Sequence, residues 1–189
     1  AQSQIREFSK VKAISLKDAH ATKNNILRAL ALLNKDMPKG TTTDRLSSAL
    51  KGLNVVRPDD TLIIFFAGHG FVHRDRFYLV PHDGMSASEA PTNVSRSISD
   101  RELEAALENI DAGHVVLIVD SCHSGQMLEF EEKRRGPLNS RGLAQLAYEK
   151  GAYVLAAAQS HQAALESDRI GHGLLTYALL DGLAAPEAD

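Results

Sequence analysis

A single cysteine, Cys122, stands among 189 residues, and that scarcity excludes both an internal disulfide framework and any multi-cysteine zinc site. The thiol is left as a buried hydrophobe or a reactive group, and its neighbours must decide which. Long apolar runs are also lacking. None could cross a bilayer, and the opening residues AQSQIREFSK have no apolar stretch of a secretion signal, so a soluble protein with no membrane role is expected. Neither sign of charge dominates. With 21 basic residues against 24 acidic ones the formal net charge is -3, which gives no strong pull toward nucleic acid. Internal repeats and low-complexity tracts are absent too. What is present is a 43% hydrophobic content, enough in a chain of this length for one buried core.

Apolar runs of strand length recur at Val11 to Leu16, Thr61 to Ala67, Phe77 to Val80, His114 to Val119 and Tyr153 to Ala157. Helical periodicity lies between them. Ile26, Ala29, Leu30 and Leu33 share one face of a helix over Thr22 to Leu33, with Thr22 as its cap. A second helix is expected from Thr43 to Leu53, ending before Pro58. The third is the best marked, since Ser99 with Glu102 three residues on forms a capping box ahead of Leu103, Ala106, Leu107 and Ile110. A last helix is expected over Gly173 to Leu183. The strands TLIIFFA and HVVLIV are apolar on both faces, as when helices cover both sides of a parallel sheet. In such sheets functional groups gather at the carboxyl ends of the strands.

Two motifs sit there. Gly68-His69-Gly70 follows the strand from Thr61, and its glycines are expected to let the backbone turn sharply and leave the imidazole accessible. Asp120-Ser121-Cys122-His123-Ser124-Gly125 follows the strand from His114 and puts the only thiol at a strand end, where a packing cysteine is less natural. Attack on an amide carbonyl needs a thiolate and an imidazole that takes the thiol proton and returns it to the leaving amine. His69 can do this if its strand neighbours that of Cys122. His123 adjoins the thiol, but adjacent residues rarely face one another. His69 and His73 have the i, i+4 spacing of a helical metal pair, yet Gly68 and Gly70 disfavour a helix and no further ligands cluster nearby, so no metal site is expected. Asp83 and Gly84 read as turn residues.

Together FFAGHG and DSCHSG resemble the caspase-like superfamily of clan CD cysteine peptidases, and the Asp-Ser ahead of Cys122 is most similar to its metacaspase and bacterial orthocaspase branches. Cys122 follows His69 at roughly the 50-residue interval of caspases. The likeness continues into AAAQSHQAALE and GLLTYALLDGL. It implies an α/β fold, a caspase-like three-layer sandwich with a mostly parallel central sheet and helices on both faces. One catalytic domain over 1–189 is then divided into a large-subunit-like part (1–127), a processing-type loop (128–141) and a small-subunit-like part (142–189).

The resemblance implies a cysteine endopeptidase using a Cys-His dyad, with Cys122 as nucleophile, His69 as general base and a thioester intermediate. The backbone N–H groups of Gly70 and Cys122 map onto the family's oxyanion hole. Asp120 maps onto the acidic residue that binds a basic P1 side chain, so cleavage after Arg or Lys is expected. Ser160, after the strand from Tyr153, maps onto the peptide groove. Lys133, Arg134, Arg135 and Arg141 lie in the loop that relatives often cut, and autoprocessing there is expected; alone, their charge reads as a solvated loop. No cofactor is implied, although relatives bind calcium through acidic loops and calcium dependence stays open. The expected partners are polypeptide substrates, with no nucleic acid and no membrane, and the expected location is the cytoplasm.

The chain departs from the family at its start. The first core strand, which in relatives lies beside the strand bearing the histidine, is not visible in residues 1 to 10. Either a separate fragment or chain supplies it, or the chain is truncated there, as its short carboxyl end also suggests. Two rival functions stand beside the protease: a catalytically silent caspase-like module that binds partners, and a cysteine amidase acting on a small substrate.

Overall fold

The apolar run that begins at Thr61 becomes the longest strand, β1 (Thr61–His73), which continues through Gly68-His69-Gly70 without a turn. After it come β2 (Arg76–Val80), β3 (Ile98–Ser99), β4 (His114–His123) and β5 (Tyr153–Ala156). The helices are α1 (Lys23–Leu32), α2 (Asp100–Glu108) and α3 (Leu174–Ala184). The computed structural model describes residues 10–35, 50, 53–74, 76–85, 94–123, 147–148, 151–157 and 173–184, with 72, 122 and 123 described through their backbone.

The strands form one sheet in the order β3-β2-β1-β4-β5. Its centre is parallel, β1 beside β4 and β4 beside β5, while β2 and β3 add antiparallel strands at one edge. Successive side chains of a strand point to opposite faces. Leu62, Ile64 and Phe66 of β1 therefore share a face with Val115, Leu117 and Val119 of β4, and this face packs with Leu30 and Leu33 and with Leu103 and Leu107 into the core. Ile63 and Phe65 point the other way and are 62% and 48% exposed. On that second face the first turn of α3 meets Asp120 of β4. Helices thus stand on both sides of a sheet with a parallel centre, the α/β arrangement expected from the sequence.

Local chemistry places the helices. Thr22 Oγ1 accepts from the Asn25 N–H at 3.2 Å, and Asp83 Oδ1 accepts from the Lys23 N–H at 2.8 Å, so α1 is capped by its own N-cap and by a turn residue from β2's far side. At α2 the capping box is complete: Ser99 Oγ accepts from the Glu102 N–H, and Glu102 Oε2 accepts from the Ser99 N–H at 3.0 Å. Lys23 Nζ lies 2.6 Å from Glu102 Oε1 and donates to the Ser97 carbonyl at 2.8 Å, tying α1 to the start of α2. Buried Asp100 is paired with Arg76 of β2 at 3.0 Å.

Two expectations are corrected. Val11 to Leu16 forms no strand, and Val11 is 81% exposed. A strand needs a ladder partner as well as an apolar run, and among the described residues β1 from Thr61 to Gly68 pairs only with β4. The glycines around His69 do not turn the chain: neither has a positive φ, and both are strand residues paired on β4. The helix expected over Thr43 to Leu53 falls largely outside the described residues. No helix among the described residues is long and apolar enough to cross a membrane.

Candidate active site

Because β1 and β4 run parallel with hydrogen-bonded backbones, residues far apart in sequence are set side by side. The register pairs Ala67 with Asp120, Gly68 with Ser121, His69 with Cys122 and Gly70 with His123. Neighbouring strands are about 4.8 Å apart, so the backbones of the two motifs lie one strand spacing apart along one row. His69 is half-buried. It also stands where β2 joins β1, paired there with Val80, while Gly70 pairs with Leu79. His69 and Gly70 therefore have ladder partners on both sides, β2 and β4.

Gly70 is buried, and its missing side chain is required by what lies beneath it. A Cβ there would come within 2.9 Å of the Phe77 ring and 3.0 Å of Ser121 Oγ. Phe77 and Ser121 are both fully buried, so neither could yield without disturbing the core. Ser121 Oγ has no hydrogen-bond partner among the described residues. An unsatisfied buried hydroxyl costs about 1–3 kcal/mol.

Asp120 is 4% exposed, and its carboxylate is turned to the start of α3. Oδ2 accepts from the Thr176 N–H at 2.9 Å and also from the Thr176 hydroxyl. Gly173 immediately precedes α3, and its carbonyl accepts the first intrahelical bond, from the Tyr177 N–H at 2.9 Å. As an N-cap it brings no side chain, and Asp120 supplies the missing acceptor from across the fold. A Cβ on Gly173 would fall onto the Asp120 carboxylate. The carboxylate thus lies at the amino-terminal end of α3, the positive end of the helix dipole.

A family model described as Metacaspase, peptidase C14 domain, matches residues 4–131, a span holding both motifs and the strands β1 to β4. The chain belongs to this family. No curated protein and no solved structure matches it significantly. Membership makes the metacaspase domain a cysteine peptidase by family, and in this sequence the single thiol is Cys122.

Of the residues picked out from the sequence, the metacaspase fold gathers His69, Gly70, Asp120 and Cys122 onto adjacent positions of two strands. Ser160, Lys133, Arg134, Arg135 and Arg141 lie outside the described residues. Among the described residues no group of three or more His, Cys, Asp or Glu could hold a metal ion. Sequence reading missed Thr176, Gly173 and Ser121. The signal for the first two was a glycine in the N-cap position of an apolar helix, with no Ser, Thr, Asp or Asn beside it.

Proposed function

We propose that this domain is a cysteine endopeptidase in which Cys122 attacks the scissile carbonyl and His69 handles the proton. The observation that carries this reading is the pairing of His69 with Cys122 in the parallel register of β1 and β4. His69 takes the thiol proton, and the thiolate sulfur bonds to the carbonyl carbon. The N–H groups of Gly70 and Cys122 hold the oxyanion. The C–N bond then breaks as the imidazolium returns its proton to the departing amine, leaving a thioester. Water, deprotonated by His69, opens the thioester, releases the acid and restores the thiol.

Asp120 is the acidic group for the P1 side chain, which makes Arg and Lys the preferred residues. Polypeptides are the substrates, and the basic residues Lys133, Arg134, Arg135 and Arg141 are sites of self-processing. The scheme needs no metal or organic cofactor; turnover with and without chelator tests a role for calcium. A free thiol fits a reducing, cytoplasmic setting. A strand supplied by another fragment or chain beside the first half of β1 would complete the sheet.

Labelling with an arginyl electrophilic inhibitor, followed by mass mapping, tests the reading. The label is expected on Cys122, and Cys122→Ala or His69→Ala should lower peptide turnover by about a thousandfold or more. Intact mass should show wild type clipped in the basic loop and Cys122→Ala uncut. A label elsewhere, or turnover retained in Cys122→Ala, removes the protease reading.

A further inference from the structure

Oδ2 of Asp120 receives two hydrogen bonds from one residue, the N–H and the hydroxyl of Thr176. An ionised carboxylate has about four lone-pair sites, two on each oxygen. Both sites of Oδ2 are taken in this arrangement, and Thr176 gives nothing to Oδ1. The carboxylate cannot rotate away freely, because it is 4% exposed and packed against Gly173, where even a methyl group would not fit.

The two basic side chains respond differently to such a group. A guanidinium binds a carboxylate most strongly as a fork, with one N–H to each oxygen. An ammonium is a compact charge that needs only one oxygen. We propose that Thr176 is a specificity-determining residue: by engaging Oδ2 it leaves Asp120 as a one-oxygen acceptor, so that Lys and Arg at P1 are taken with similar efficiency. This rests on the assignment of Asp120 to the P1 pocket. Thr176 acts through the Asp120 carboxylate that it holds, as a positioning residue.

The test uses the full chain and two peptides identical except for Arg or Lys at P1. Wild type is expected to turn them over with kcat/KM values within about tenfold of each other, the scale of one hydrogen bond to a charged group. Thr176→Val keeps the shape and the main-chain N–H but removes the hydroxyl, which opens a site on Oδ2. The Arg to Lys ratio should then rise by about threefold or more, and Thr176→Ser should restore it. A purely structural role would lower both substrates together and leave the ratio where it was.

A wild-type preference beyond about tenfold overturns the proposal even if Thr176→Val does not fold. A smaller change of ratio in a folded Thr176→Val also overturns it. Asp120→Asn separates the two layers of the argument. If that variant keeps its turnover of both peptides, the pocket assignment has failed; if it loses both while Thr176→Val leaves the ratio unchanged, only the role of Thr176 has failed.

Discussion

Helices α2 and α3 both begin with N–H groups that have no acceptor within the helix, and they meet that need in different ways. At α2 the answer is local, since Ser99 and Glu102 lie three residues apart and bond reciprocally. At α3 the N-cap is Gly173 and the acceptor is Asp120, which lies 56 positions from Thr176 in the sequence. A local cap stabilises one helix and little else. A remote one joins the helix to the strand that carries Cys122, so a change at the start of α3 is felt at the site.

Substitutions at the two helix starts should therefore part company. The largest effect is expected at α3. Gly173→Ala drives a methyl group into a buried carboxylate, and overpacking of this kind costs about 1–3 kcal/mol. Chemical denaturation should show that loss, and turnover of basic-P1 peptides should fall with it. If turnover is unchanged, the coupling of α3 to the site is broken as an idea. Next comes Ser99→Ala at α2, which removes a cap worth about 1 kcal/mol. It should lower the denaturation midpoint and leave kcat/KM as in wild type.

The smallest effect is electrostatic and depends on pH. Burial pushes the Glu102 carboxyl up, but bonds from Lys23 and from the Ser99 N–H and hydroxyl outweigh it and hold the group below the usual glutamate range. A carboxyl lowered on folding stabilises the fold above its unfolded pKa, and the contribution fades as pH falls through the folded value. Glu102→Gln should thus be less stable than wild type near neutrality, with the gap closing below about pH 4. Denaturant midpoints across pH measure this, and a gap that persists in acid would point to packing instead of charge.

The same contrast explains what could be read in advance. The capping box of α2, the face of α1 and the strands from Thr61 and His114 all announce themselves through neighbours a few residues apart, and each is present. Length misled at β1, where Gly68 and Gly70 read as turn residues; between flanking strands, glycine also serves where backbone and side chains crowd, as Phe77 and Ser121 crowd Gly70. Val11 to Leu16 has the composition of a strand but no ladder partner among the described residues, and pairing is not a local property. That His69 and Cys122 should stand on neighbouring strands was legible from the two motifs, because an imidazole and a thiol that share a proton must be close, and the register pairs them. Thr176 was not, since nothing in its own segment marks it as a donor to Asp120.

The two-sided clasp on His69 and Gly70 bears on when order is acquired. Confining one residue's backbone costs about 1–2 kcal/mol in lost conformational entropy. Here that loss belongs to sheet assembly, so the main chain beside the imidazole is already set when a peptide arrives, and little of the encounter's free energy is diverted to arranging it.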